Sequence, residues 1–249
     1  AESALMAAAL GSVAGLRAGQ PWHTRAAYFF HASGGAAART GRIWLTTDLD
    51  PFAKGDVSVA KGGTLAVTVT SSSGTTLAQQ DVDIAAGART ATIELATTEA
   101  PLEAGDLLVR ARLTPVGSTL PFTDSARVVL PASETAVASP RLSRAGPITK
   151  QQFVATADLR YRRNEKVRVE VPVPPGATAV TGTLLDRSGN PMTAIPVAGA
   201  LVPPDDAGIG WATATLSLVP LGPGDYVVRV DVSHPDGEQR TLTGFRVVQ

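Results

Sequence analysis

His23, His31 and His234 are the three imidazoles of the chain, and imidazole is the side chain most often recruited as a metal ligand or as an acid–base group near neutral pH. No two of them stand at the i, i+2 or i, i+4 spacing that aims a pair of ligands at one metal. Their placement predicts surface or partly buried histidines and no zinc centre. Carboxylates come closer to a pattern: Asp48-Leu49-Asp50 and Asp81-Val82-Asp83 each put two on one face of a strand, and Asp205-Asp206 stands in a loop rich in Gly and Pro. Calcium takes oxygen ligands of this kind but needs about six to eight at once. The pairs are therefore expected to be solvated strand faces, with calcium at a junction between modules as the alternative.

Other chemistry-bearing motifs are weaker. Gly208-Ile209-Gly210-Trp211-Ala212-Thr213 lacks the third glycine of a dinucleotide loop and leads into a strand pattern, so a turn entering a strand is expected. In Gly11-Ser12-Val13-Ala14-Gly15 the serine comes one place early for a nucleophile elbow, and no His and acid pair accompanies it. From Arg160 to Arg168 the chain reads Arg-Tyr-Arg-Arg-Asn-Glu-Lys-Val-Arg, five basic residues around an aromatic, a pattern that grips polyanions. With 22 basic residues against 22 acidic, no net field draws the molecule to nucleic acid, and a solvated turn and strand face is expected there. Trp22, Trp44 and Trp211, with Tyr28, Phe29 and Phe30, could line a sugar platform. Aromatics are only 5% of the chain, which predicts that most of them fill cores.

The elements that would position these residues are strands. The chain has 249 residues, 44% hydrophobic and 18% charged, with 24 Gly and 18 Pro, too apolar for a disordered chain and too rich in turn-formers for a helical bundle. It holds no Cys, which excludes a disulfide framework and thiolate metal sites. No apolar run approaches the ~20 residues that cross a bilayer, and Ala1-Glu2-Ser3 lacks the basic flank of a signal peptide. A mature chain or a piece of a longer protein is expected.

Residues 3–16 form the one segment of helical pattern, with Ser3 as N-cap and Met6, Leu10 and Val13 at i, i+4, i+7. Gly11 and Gly15 weaken it, and a helix this short needs a docking surface. No place for it in either half is evident, so Met6, Leu10 and Val13 are expected to dock it on a neighbouring domain or subunit. From Pro21 onward, short runs rich in Val, Ile, Thr and aromatics alternate with Gly, Pro, Ser and Asp clusters. Strands are expected near 24–31, 42–48, 64–70, 77–84, 90–96, 106–114 and 123–130, then near 153–159, 166–172, 179–186, 192–198, 211–219, 225–233 and 241–248.

The two halves repeat. A shift of 119 positions carries Gly105-Asp106-Leu107-Leu108-Val109-Arg110 onto Gly224-Asp225-Tyr226-Val227-Val228-Arg229, and Arg127-Val128-Val129 onto Arg246-Val247-Val248. Ser73-Gly74 aligns with Ser188-Gly189, and Thr92-Ile93-Glu94-Leu95 with Thr215-Leu216-Ser217-Leu218, at slightly different shifts. Loop insertions produce such drift. In each penultimate strand, Leu107, Val109, Ala111 and Leu113, or Tyr226, Val228, Val230 and Val232, are expected to face a core, with the opposite face wet. Tyr226 stands where immunoglobulin-like domains often place a tyrosine whose hydroxyl bonds back to the backbone at a corner.

Several stretches resemble the region that follows the von Willebrand factor type A domain in acidobacterial VWFA-related proteins. They are Pro140-Arg141-Leu142-Ser143-Arg144-Ala145-Gly146-Pro147, residues 153–172 and Leu185-Asp186-Arg187-Ser188-Gly189-Asn190-Pro191, with Ala27-Tyr28-Phe29-Phe30 and Leu49-Asp50-Pro51 upstream. The resemblance implies an exported or envelope protein with β-sandwich modules. The Asp-x-Ser-x-Ser metal signature of the type A domain is missing, so metal-dependent adhesion is not carried over.

The sequence thus predicts an all-β protein of two tandem immunoglobulin-like or fibronectin III-like β-sandwiches with a short N-terminal helix. The expected divisions are a helical segment 1–20, a sandwich 21–132, a linker 133–139 and a second sandwich 140–249. The expected function is non-enzymatic, extracytoplasmic, and structural or adhesive, acting on a protein partner or by self-association. A carbohydrate-binding module or accessory domain of a secreted enzyme is the alternative. No catalytic residue, cofactor, metal, nucleic-acid partner or membrane span is expected.

Overall fold

Period-two alternation of apolar and polar residues makes strands whose two faces differ. In β6 (Gly105–Pro115), Leu107, Val109, Ala111 and Leu113 are buried while Arg110 and Arg112 are exposed. The computed structural model describes residues 2–16, 22–32, 39–49, 61–96, 105–130, 137–173, 176–206, 208–235 and 237–249. The protein is all-β, with one short N-terminal helix.

The chain divides into two compact units: Gly19–Ala138 with Ala155–Asp158 form the first, and Ala1–Ala18, Ser139–Val154 and Leu159–Gln249 form the second. The first contains β1 (Trp22–Ala32), β2 (Arg39–Leu49), β3 (Gly63–Thr70), β4 (Thr76–Ile84), β5 (Thr90–Ala96), β6, β7 (Phe122–Leu130) and β8 (Val137–Ser139). They build two sheets, β5-β2-β1-β8 and β4-β3-β6-β7. Trp22, Phe30, Ile43, Leu45, Ile93 and Leu95 from one sheet share a core with Leu65, Val67, Val69, Val109, Leu113 and Leu130 from the other. Two sheets burying one face each against a common core make a β-sandwich.

The second unit adds α1 (Glu2–Ala14), β9 (Arg141–Ala145), the first residue of β10 (Val154–Thr156, whose other two residues belong to the first unit), β11 (Arg160–Arg162), β12 (Lys166–Val173), β13 (Ala179–Leu185), β14 (Ala198–Val202), β15 (Gly210–Ser217), β16 (Gly224–His234) and β17 (Gly237–Val248). Its sheet orders are β10-β9-β12-β15-β14 and β11-β17-β16-β13. The order β5-β2-β1 in the first unit corresponds to β15-β12-β9 here, and β3-β6-β7 to β13-β16-β17. Among the described strands, β11, parallel to β17, has no counterpart beside β7, and a further strand changes sheet. β4 stays beside β3, whereas β14, which follows β13, crosses to pair with β15.

Local details of the repeat agree. Gly74 and Gly189 both adopt the left-handed conformation, with φ of 85° and 86°, and each amide donates to a carbonyl three residues back, 3.0 Å away. Asp106 pairs with Arg127, and Asp225 with Arg246. The ladders differ by two residues, since Asp225 lies opposite Arg246 but Asp106 lies opposite Val129. A slip of two keeps every side chain on its face, so both ion pairs survive it. The Tyr226 hydroxyl donates to the Gly222 carbonyl at 3.0 Å.

Four expectations are corrected. Of the expected linker 133–139, the described residues 137–139 form β8, paired beside β1, and β9 follows at once where no strand was expected. The strand expected at 192–198 lies at Ala198–Val202, because Pro191 and Pro196 fix turns ahead of it. The helix begins at Glu2, so Ser3 sits inside its first turn and is not the N-cap. The outer face of β16 is not wet throughout: Val227 and Asp231 are buried, because α1 lies over that face.

Candidate functional site

β14 is Ala-Gly-Ala-Leu-Val, without a charge, and all five residues are exposed. It closes its sheet on one side only, hydrogen-bonded to β15 in the register Ala198 to Thr215 through Val202 to Trp211. Its inner face packs tightly. A Cβ added at Gly199 would lie 2.9 Å from the Val180 carbonyl of β13, and one at Gly182 would lie 2.4 Å from Val197. Glycine at both places lets β13 and β14 approach closely. Beyond Val202, Pro203 and Pro204 lack amides, and the Asp205 carboxylate accepts the Ile209 amide at 3.0 Å to shape the return.

Edge strands are protected by charge, shortness or cover. β4 carries Asp81 and Asp83, β5 Glu94, β7 Asp124 and Arg127, and β11 Arg160 and Arg162, while β8 and β10 have three residues each. β13 is uncharged, but most of its residues are half-buried or buried. β14 has none of these protections among the described residues. Beside it, the outer sheet face is dressed in polar pairs: Arg141 lies over the Trp211 ring at 3.9 Å and bonds Glu170, which also accepts the Ser143 hydroxyl at 2.9 Å.

The helix is the second feature. α1 rests on β16 and β17 through Ala9 and Val13, with Met6 and Leu10 half-buried beside them against Leu185, Val227 and Leu242. Gly244 makes this possible, since a Cβ there would lie 2.2 Å from the Ala9 carbonyl oxygen. Glu2 reaches Arg229 and Arg240 at 3.4 and 3.3 Å, and both arginines bond the buried Asp231. The expected docking residues therefore lie at a surface of the second unit itself. Sequence reasoning missed the seat because its floor is a glycine, which carries no hydrophobic signal.

Two buried polar clusters complete the chemistry-bearing groups. In the first unit Asp48 accepts the Thr156 hydroxyl at 2.7 Å and the Ala157 amide at 3.1 Å, and the His23 Nε2 lies 3.9 Å from the fully buried Asp158 carboxylate. In the second, Arg144 points into the core, bonds Glu165 at 3.3 Å, donates to the Arg160 carbonyl and lies 4.7 Å over the Tyr161 ring. The Glu165 carboxylate also accepts the Arg162 amide at 2.6 Å. Buried charges persist when paired and hydrogen-bonded in this way.

The remaining candidates separate. His31 lies in β1, and His234 ends β16 half-buried. Asp50 lies outside the described residues, and its partner Asp48, expected on a solvated strand face, is instead buried where it accepts the Thr156 hydroxyl and the Ala157 amide. Asp81, Asp83, Asp205 and Asp206 are exposed, and no cluster of three metal-ligating side chains occurs among the described residues. Ser12 donates to the Ala8 carbonyl within α1. Gly210 opens β15 after a turn, as the motif predicted. Tyr161 is fully buried, edge-on to Phe245, so the basic stretch has no aromatic to stack on a base. Trp22, Trp44 and Trp211 are 2%, 3% and 5% exposed, and none offers a sugar a face. No described helix is long and apolar enough to cross a membrane.

No protein-family model matches the chain, and no curated protein matches it.

Proposed function

We propose that this is a non-enzymatic, extracytoplasmic structural or adhesive protein of tandem immunoglobulin-like sandwiches, acting by contact with copies of itself through β14. The observation that carries the reading is the open, uncharged edge of Ala198-Gly199-Ala200-Leu201-Val202. Strand edges bind other chains by extending the hydrogen-bonded ladder. The resemblance to the sandwich region of VWFA-related proteins supports the extracytoplasmic part.

The sequence of β14 favours a second copy over an unrelated peptide. Antiparallel pairing about a two-fold axis at Ala200 sets Ala198 opposite Val202 and Gly199 opposite Leu201, small against large at each step. Parallel pairing would align Asp205 and Asp206 with their own copies, and like charges opposite one another are unfavourable. An unrelated peptide would need side-chain pockets for specificity, which Ala198, Gly199 and Ala200 do not supply.

Sedimentation velocity over a concentration series tests this. The unaltered chain should associate, and Ala200→Lys, which opposes two lysines across the axis, should stay monomeric with an unchanged melting temperature. A monomeric unaltered chain at every concentration, or an Ala200→Lys variant that associates equally, refutes the reading.

A further inference from the structure

At one end of the second unit three turns meet on a single residue, Glu165. The turn Arg162 to Glu165 is closed by the Glu165 amide donating to the Arg162 carbonyl at 3.0 Å, and the Glu165 carbonyl accepts the Leu218 amide at 3.1 Å. A Cβ added at Gly146 would lie 2.8 Å from the Glu165 Cγ, so the turn after β9 leans on the same side chain. Each flanking turn holds an aliphatic side chain in solvent: Ile148 is 55% and Val219 58% exposed. Their positions are fixed. The Gly146 carbonyl accepts the Thr149 and Gln151 amides at 3.1 and 2.9 Å, and the Arg163 guanidinium donates to the Val219 carbonyl at 2.6 Å.

Lys150 follows Ile148 by two residues, Arg163 holds the Val219 carbonyl, and Lys166 lies opposite Ala145 and Ser217 at the base of the two turns; all three cations are exposed. Glu165, the acid on which the turns meet, is buried against Arg144. We propose that this end of the unit docks on the surface of a lipid bilayer bearing anionic headgroups, with Ile148 and Val219 entering the interface and the three cations meeting phosphates. Basic residues beside exposed aliphatic side chains are the pairing that holds proteins on anionic membranes. A soluble polyanion would use the cations and leave Ile148 and Val219 with no role.

The test is co-sedimentation of the full chain with vesicles of phosphatidylcholine alone or mixed with phosphatidylglycerol, using two double variants. The unaltered chain should bind only the anionic vesicles. Lys150→Glu with Lys166→Glu should weaken that binding by roughly fivefold or more per reversal. Ile148→Ser with Val219→Ser, which changes no charge and replaces only exposed side chains, should weaken it at least as clearly while the melting temperature holds. Absence of binding to anionic vesicles overturns the proposal. So does equal binding by the serine variant, or binding to heparin in solution with none to vesicles. Because the self-association assay needs no lipid, this proposal and the β14 reading fail independently.

Discussion

Gly244 of β17 lies directly beneath Ala9 of α1, so close that a single added methyl would meet the Ala9 carbonyl oxygen at 2.2 Å and Val13 at 2.8 Å. The first helix of the chain and its last strand are thereby one packing unit. Their contact is made by backbone and small side chains, and Leu185, Val227 and Leu242 surround it.

Gly244→Ala should therefore lift the helix. Overpacking of this kind costs about 1–3 kcal/mol, and protease should cut residues 1–18 faster in the variant than in the parent. In a chain lacking residues 1–18 the same substitution should be neutral or slightly stabilising, because Gly weakens a strand interior. Equal losses in both backgrounds would mean that the helix does not press on Gly244.

The Asp225 and Arg246 pair gives a pH-dependent contribution. The hydrogen bond from Arg246 holds the Asp225 carboxyl below its ordinary value. A carboxyl depressed in the folded state adds stability above its unfolded pKa of about 3.9, and that stability is lost as pH falls through the lower folded value. Asp225→Asn should lower the denaturant midpoint at neutral pH by an amount that holds down to about pH 5 and shrinks as the pH falls below the ordinary carboxylate range. A difference independent of pH would assign the effect to shape and not to charge.

Removing the buried acceptor of the first unit should be costly. Asp48→Ala leaves the Thr156 hydroxyl and the Ala157 amide without the carboxylate they bond. The loss should be about 2–3 kcal/mol, read by chemical denaturation. Asp48→Asn keeps one carbonyl oxygen and should lose less.

Tyr226→Phe isolates the corner in the second unit. Its stacking on Phe245, with ring centroids 5.9 Å apart, should persist, while the bond to the Gly222 carbonyl disappears. A drop of about 1 kcal/mol is expected, and no change would show that the hydroxyl is equally well served by water.

Strands with period-two alternation are legible in the sequence. The seven expected in the first half match β1 to β7 within three residues at either end, most of them because they bury one face, and β2, buried on both faces from Ile43 to Asp48, because of its apolar and Thr-rich run. β14 was misplaced for the converse reason: Ala-Gly-Ala-Leu-Val alternates nothing and holds one β-branched residue. β9 was missed because Arg144 faces the core of the second unit, where its partner Glu165 is distant in sequence. Long-range pairing hid the seat of α1 as well. The basic stretch from Arg160 to Arg168 was visible as charge, but the burial of Tyr161 and the two exposed aliphatic residues of neighbouring turns come from topology alone.

The proposed association depends on a two-fold ladder centred at Ala200, and one mixing experiment tests it. Ala200→Lys and Ala200→Glu should each be monomeric alone, and together at equal amounts should form a heterodimer, counted by native mass spectrometry, because opposite charges then face each other across the axis. If the mixture remains monomeric while the unaltered chain dimerises, the ladder is not centred there. If each variant dimerises alone as well as the unaltered chain, β14 is not the interface.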